Sequence, residues 1–135
     1  GVLQDKIRLA VIELVPKNIS KDGALAASEY LRSEINKTGK YFLLDKTVLA
    51  LVTREQTFKL GQCEENECAF ETGALINVQK IIVGSAGRVG GKYNITVKLL
   101  DVENKNIIDE FTEECYSEAG FAKACKNIAE KLATK

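Results

Sequence analysis

Apolar residues recur with two different periods along this chain, and the switches between them mark its elements. Lys6 to Val15 begins as an alternation and becomes nearly continuous at Leu9-Ala-Val-Ile12. Such a run predicts a strand buried on both faces of a sheet. Pro16 ends it. Ser20 is a good N-cap, Asp22 sits in a first helical turn, and Ala24, Ala27, Leu31 and Ile35 share one face with Tyr30 beside them. With Lys37 in the last turn and Gly39 at the C′ position, this spacing predicts a helix from about Lys21 to Thr38. Tyr41-Phe-Leu-Leu44 reads as a second strand, parallel to the first because a long helix joins them.

Asp45 or Thr47 caps a predicted second helix, with Val48, Leu51 and Val52 inward and Glu55 and Gln56 outward. Phe58 to Glu67 reads as a loop. Asn66 is placed as the cap of a third helix, about Glu67 to Asn77, in which Ala69, Gly73 and Ile76 share a face and Gly73 suits close packing. Lys80 to Val89 and Lys92 to Val102 are strands flanking Gly90-Gly91, the strongest hairpin signal present. Tyr93, Ile95, Val97 and Leu99 point inward, and Asn94, Thr96 and Lys98 to a wetter face. After a turn at Asn104-Lys105-Asn106, Ile107 to Tyr116 forms a fifth, more exposed strand. Ser117 then caps a last helix with an apolar stripe of Phe121, Ala124, Cys125, Ile128 and Leu132.

The element order is β-α-β-α-α-β-β-β-α. It predicts an α/β fold with α+β character in its second half: a mixed five-stranded sheet with helices packed on it. One domain spans residues 1–135, with residues 1–5 expected to be disordered or a cloning remnant. The chain has 19 Lys plus Arg and 19 Asp plus Glu, which removes the general electrostatic case for nucleic acid or an anionic membrane, and with signs mixed and no basic block no local basic patch is expected either. No apolar run approaches 18 residues, so no transmembrane helix is expected. Met is absent, which is compatible with a removed signal peptide.

His is absent too, so Ser-His and Cys-His nucleophile pairs are excluded and most zinc enzymes are disfavoured. Gly84-Ser-Ala-Gly87 and Gly87-Arg-Val-Gly-Gly91 follow a strand as a phosphate loop would. However, another strand comes next, which leaves no helix N-terminus to hold a phosphate. Asp109, Glu110, Glu113 and Glu114 read as a solvated strand edge that discourages pairing with other chains. No catalytic group, metal site or cofactor is therefore assigned. Four cysteines favour two disulfides over free thiols or zinc. Cys63 precedes the helix that Cys68 opens, and the strand ending near Cys115 turns into the helix of Cys125, which favours pairing 63–68 and 115–125. The loop residues Gly61, Gln62, Glu64, Glu65, Asn66 and Glu67 are the candidate interaction site, because loops on rigid scaffolds commonly carry recognition.

The strand Ile7-Arg-Leu-Ala-Val-Ile-Glu-Leu, the segment Gly39-Lys-Tyr-Phe-Leu-Leu-Asp and the Gly61-x-Cys…Cys68-Ala-x-x-x-Gly73 loop-helix come in an order that resembles a known family. Ile81-Ile-Val-Gly84-Ser and Leu99-Leu-Asp-Val102 continue it. The pattern, from about Lys6 to Leu132, is similar to the bacterial cell-envelope domain shared by the curli secretion protein CsgG, the penicillin-binding-protein activator LpoB and the amino-terminal domain of TolB. The resemblance implies a non-catalytic domain of a periplasmic or outer-membrane lipoprotein that works through contacts with other envelope proteins, as an accessory or regulator of assembly or secretion. It leaves room for a homo-oligomer, and it implies membrane attachment only through a lipid anchor. Two features depart from it. No cysteine precedes Cys63 to carry the lipid, and no spare alternating segment is present for the membrane-spanning hairpins of a pore. The rival reading is a small-molecule or nucleotide-binding α/β domain using the strand ends near Pro16 to Ser20 and Asp45.

Overall fold

The computed structural model describes residues 6–49 and 65–135. Residues 1–5 and the predicted positions Leu51, Val52, Glu55 and Gln56 lie outside these. The elements run β1 (Ile7–Val11), β2 (Val15–Lys17), α1 (Lys21–Thr38), β3 (Tyr41–Leu43), a helical stretch α2 at 46–49, α3 (Asn66–Leu75), β4 (Lys80–Val89), β5 (Lys92–Asp101), β6 (Asn106–Cys115) and α4 (Phe121–Leu132). A 3-10 turn, Glu118–Gly120, leads into α4, so Ser117 caps that turn rather than the helix. The fold is α/β, with a mixed sheet ordered β3-β1-β4-β5-β6 and β2 also paired to β4. β1 pairs in parallel with β3 and β4, while β4, β5 and β6 form an antiparallel meander.

The sheet has six strands where five were expected. Pro16 does not stop the chain from pairing; it lies inside β2, opposite Ala86. Among the described residues β2 pairs with β4 alone, so the N–H that proline lacks is not missed there. Between β1 and β2 the chain bulges. The register runs from Val11↔Ile82 to Val15↔Ser85, so Ile12, Glu13 and Leu14 face only Val83 and Gly84.

Helix α1 satisfies the backbone groups that this bulge strands. The hydroxyl of Ser28, fully buried, accepts from Leu14 N–H at 2.9 Å and donates to Ala24 O at 2.8 Å. One turn on, Arg32 donates to Val11 O at 2.7 Å while lying near Glu13 and Glu29. The predicted apolar stripe of α1, Ala24, Ala27, Leu31 and Ile35, is buried as expected. Ser20 caps the helix by accepting from Gly23 N–H, and Gly39 closes it in the left-handed conformation at φ 67°.

The sheet divides the interior in two. On its first face α1 and α4 cover Leu9, Val11, Ile82, Ile95, Val97, Leu99 and Phe111. The stripe of α4 is buried throughout, and Tyr41 Oη donates to Leu132 O at its end. On the second face α3 and Leu49 cover Ala10, Ile12, Ile81, Val83, Leu100 and Val102. Asp45 is the cap of α2, accepting from Thr47 N–H at 2.7 Å. Within α2, Leu49 rather than Val48 faces inward, leaving Val48 exposed. Glu65 occupies the N-cap position of α3, and Asn66 is its first residue.

Two glycines mark the closest approaches. A Cβ on Gly73 would strike Val102, and one on Gly84 would meet Thr96 O and lie 2.8 Å from Val97 Cα. We expect Gly84→Ala to cost about 1–3 kcal/mol by forcing β4 and β5 apart. Gly91→Ala, which meets nothing within 4 Å, should stay within about 0.5 kcal/mol. Ser28→Ala should cost about 1–3 kcal/mol because it leaves Leu14 N–H buried and unpaired. Urea unfolding of the three variants checks these values.

Candidate functional site

The crevice expected of a nucleotide-binding α/β fold lies outside the carboxyl ends of the parallel strands, where the strand order reverses. Here that point is β1 beside β4, and β2 fills it by continuing along β4. The N-terminus of α1 is occupied as well. Ser20 holds Gly23 N–H, and the carboxylate of Glu118 lies where a Cβ on Gly23 would be. An anion from outside would meet a carboxylate already at that helix end. Asp45 is spent on capping, and the hydrogen bond from Thr47 N–H holds its carboxyl below the usual range. The adjoining cleft, about 380 Å³, is crossed by the Glu29–Arg32 and Glu29–Lys46 ion pairs at 3.0 and 2.9 Å. Among the described residues, the strand ends near Pro16 to Ser20 and Asp45 are thus taken up by the chain's own groups.

The cysteines split into two cases. Cys115 and Cys125 are free thiols, which corrects the pairing 115–125. The physical reason is their directions. Cys125 points under α1 and donates to Ala27 O, while Cys115 turns to Ser117 O against Gly120. Burial pushes the Cys125 thiol up to about 12 and raises Cys115 as well. Cys68, half-buried at the start of α3, is not a free thiol. Cys63 lies outside the described residues, as do Gly61, Gln62 and Glu64 of the candidate loop. Glu65 and Glu67 are exposed, and Asn66 accepts from Lys98 Nζ at 2.7 Å instead of capping α3.

That contact docks the start of α3 onto the second sheet face and marks the border of an open area. α3 packs on β4 and β5. Beyond it, among the described residues, no helix covers the face. Alternation and register set its rows: Ser85, itself buried, beside Thr96 beside Thr112, then Gly87, also buried, beside Asn94 beside Glu114, so the exposed part lies on β5 and β6. Lys98 and Glu110 form the row nearest α3. The Thr96 and Thr112 hydroxyls lie 3.1 Å apart. Hydroxyl, amide, ammonium and carboxylate groups alternate here without a large apolar side chain. The arrangement suits recognition of a polar surface. The alternation of β5 pointed to a wetter face, but it took the strand order to show that three strands extend it.

The acidic residues of β6 divide between the two faces. Asp109 and Glu113 turn to α4, where Asp109 meets Lys135 at 2.7 Å and Glu113 meets Asn127 at 2.8 Å and Lys131 at 2.9 Å. These hydrogen bonds, with Lys135 first for Asp109 and Asn127 first for Glu113, hold both carboxyls below their ordinary values. The expectation of a wholly solvated edge holds for Glu110 and Glu114, both exposed, and not for these two. The glycine run is structural, since Gly84 packs on β5 and Gly87 on Lys17. Among the described residues no three Cys, Asp or Glu converge as a metal-binding group, and no helix is long and apolar enough to cross a membrane.

This architecture is that of the LpoB- and TolB-like α/β domains. The chain is similar to the LpoB C-terminal domain from Escherichia coli, with 15% identity, a TM-score of 0.69 and 87% of each chain covered. It is similar to lipoprotein GNA1162 from Neisseria meningitidis at 6% identity and TM-score 0.69, covering 96% of this chain and 98% of that one. TolB from Acinetobacter baumannii matches at 10% identity and TM-score 0.62, over 98% of this chain and 29% of TolB. No protein-family model and no curated protein matches the sequence.

Two outcomes follow. Carboxyls lowered by folding add stability that is complete above their ordinary values and is lost as pH falls through the lowered ones. The melting temperature should therefore drop below pH 4.5, the ordinary value for Glu113. A variant carrying Glu113→Gln and Asp109→Asn should drop less steeply, as thermal melts from pH 6 to 2 would show. With a thiol reagent at pH 8, Cys125 should label only after unfolding, and Cys115 sooner.

Proposed function

We propose that this chain is a non-catalytic interaction domain of the bacterial cell envelope, an accessory or regulator that binds other envelope proteins. The observation that carries this reading is the polar face of β5 and β6 that stays exposed or half-exposed among the described residues, on a fold shared with the LpoB C-terminal domain and a lipoprotein. Filling of the switch-point crevice by β2 supports recognition over nucleotide chemistry. The domain works on the periplasmic or outer-membrane side, attached to a membrane only through a lipid anchor, and needs no cofactor. Cys63 and Cys68 are bonded to each other in this reading, a tie that fixes the shape of the candidate interaction loop Gly61 to Glu67. An oxidising compartment and the bonded state of Cys68 support that pairing.

Capture from a detergent-solubilised envelope fraction tests the function. The wild-type chain should retain envelope proteins, and Thr112→Arg, at the centre of the face, should lose them at least about tenfold, as expected for a hot-spot disruption. Retention of cytosolic proteins alone, or equal retention by the variant, contradicts the proposal. Non-reducing peptide mapping tests the loop: a Cys63–Cys68 peptide is expected, and a free Cys63 in the oxidised protein would overturn that part.

A further inference from the structure

β6 is the last strand of the order β3-β1-β4-β5-β6, and among the described residues no strand pairs with its outer edge. It has ten residues, where β3 at the opposite edge has three. Its pairing with β5 is regular from Asp109 to Cys115, after a register shift that skips Ile108. The hydrogen bonds show which backbone groups of this run turn outward. Glu110 N–H donates to the Asp109 carboxylate at 2.7 Å, so it is turned away from β5. Opposed residues in an antiparallel pair alternate between bonded and non-bonded pairs, and the Thr96 and Thr112 hydroxyls, 3.1 Å apart, show the close side chains of a non-bonded one. Glu110, Thr112 and Glu114 therefore aim their backbone groups at the outer edge. Asp109 takes the N–H of Glu110. The N–H groups of Thr112 and Glu114 and the three carbonyls remain as one half of a ladder.

A long open edge normally carries a device against pairing. Here the device is charge. β6 holds Asp109, Glu110, Glu113 and Glu114 and no Lys or Arg. On the first face Asp109 and Glu113 are tied to Lys135 and Lys131. On the second face Glu114 has Lys92 at 3.5 Å, with both side chains about 60% exposed, and Glu110 stands opposite Lys98, whose Nζ goes to Asn66. Both of these lysines lie on β5, one strand in, so the two carboxylates are the outermost charges of the face. A second copy of this chain is a poor occupant. Two-fold pairing of β6 about Thr112 would set Glu110 opposite Glu114 twice over, like charge against like.

The strand that β6 already accepts shows what fits. On the second face β5 presents Lys98 to Glu110, Thr96 to Thr112, Asn94 to Glu114, and Lys92 at the far end. Lysines thus flank a hydroxyl and an amide. On the first face a cleft of about 660 Å³ runs beside β6, with Phe111 in its wall and Asn127, Lys131 and Lys135 of the α4 end across from it. The alternate side chains of a strand laid along the edge would point into that cleft.

We propose that the outer edge of β6 takes an extended basic segment of the partner protein as an added strand. Lysine or arginine stands opposite Glu110 and Glu114, a small hydroxyl residue opposite Thr112, and the positions between them are apolar and cover Phe111. Main-chain hydrogen bonds to Thr112 and Glu114 supply affinity, and the alternate side chains supply specificity. This deepens the protein-binding reading above and rests on it for the nature of the partner.

Binding of short synthetic peptides to the full chain, followed by fluorescence anisotropy, tests it. A peptide with Lys-Val-Thr-Val-Lys at its centre should bind, and more weakly as salt rises. Its Glu-Val-Thr-Val-Glu counterpart should bind at least about tenfold more weakly, since like charges then oppose each other across the strands. Proline in place of the central threonine removes the N–H that meets Thr112 and should abolish binding. In the chain, Glu110→Lys with Glu114→Lys should reverse the preference between the two charged peptides. Both positions are exposed, and circular dichroism confirms that the variant folds. Amide exchange at Thr112 and Glu114 should slow when the basic peptide is bound. No binding of that peptide, equal binding of the two charged peptides, or an unreversed preference overturns the inference. So does capture of envelope proteins equally by the wild-type chain and the double variant, because the partner is then held by the face without the edge. Selective peptide binding without capture of any envelope protein upholds the edge and contradicts the wider reading instead.

Discussion

Everything in this structure hangs on β4, which alone carries β1, β2 and β5. One of its edges is parallel and serves the first half of the chain. The other is antiparallel and serves the second. The parallel edge is interrupted by the bulge at Ile12 to Leu14, and an interrupted edge inside a sheet strands backbone groups away from water. Ser28 and Arg32 of α1 resolve this at 2.9 Å and 2.7 Å. The helix is therefore held to the sheet by polar ties as well as by its apolar stripe, and the two kinds of contact fix its position together.

The same bulge decides what the fold can do. By carrying β2 on along β4, it fills the crevice in which related α/β sheets hold nucleotides. Glu118 completes the closure at the start of α1. Among the described residues, what stays exposed is the β5–β6 part of the meander's second face, beyond the end that α3 packs on. A domain with that crevice filled and a polar sheet face exposed among its described residues is arranged for surface contact. This is the physical link between the strand order and the function proposed.

Much of this was legible in the sequence. The buried stripes of α1 and α4, the Gly90 turn and the inward set of β5 follow from spacing alone, because one-sided burial imposes periods of 3.6 and 2. Pro16 misled because its effect depends on whether the strand has a second neighbour, which no local pattern records. Ser28 and Arg32 gave no signal, since a buried polar residue on a helix looks like a solvated one until its partner is known. Cys115 and Cys125 are near in sequence and lie on adjoining elements, yet their side chains bond elsewhere. Proximity in the chain does not fix the direction of a side chain. The open face was half legible: Asn94, Thr96 and Lys98 announced a wet side of β5, but only the pairing with β6 adds Glu110, Thr112 and Glu114 to it.

The central claim is that the polar second face of β5 and β6 is where a partner binds. Hydrogen exchange of the chain, free and in complex with the envelope protein it captures, tests it most directly. The account predicts added protection in Asn94 to Lys98 and Glu110 to Glu114, with α1 and α4 unchanged. Protection confined to α1 and α4, leaving β5 and β6 as in the free chain, would contradict it.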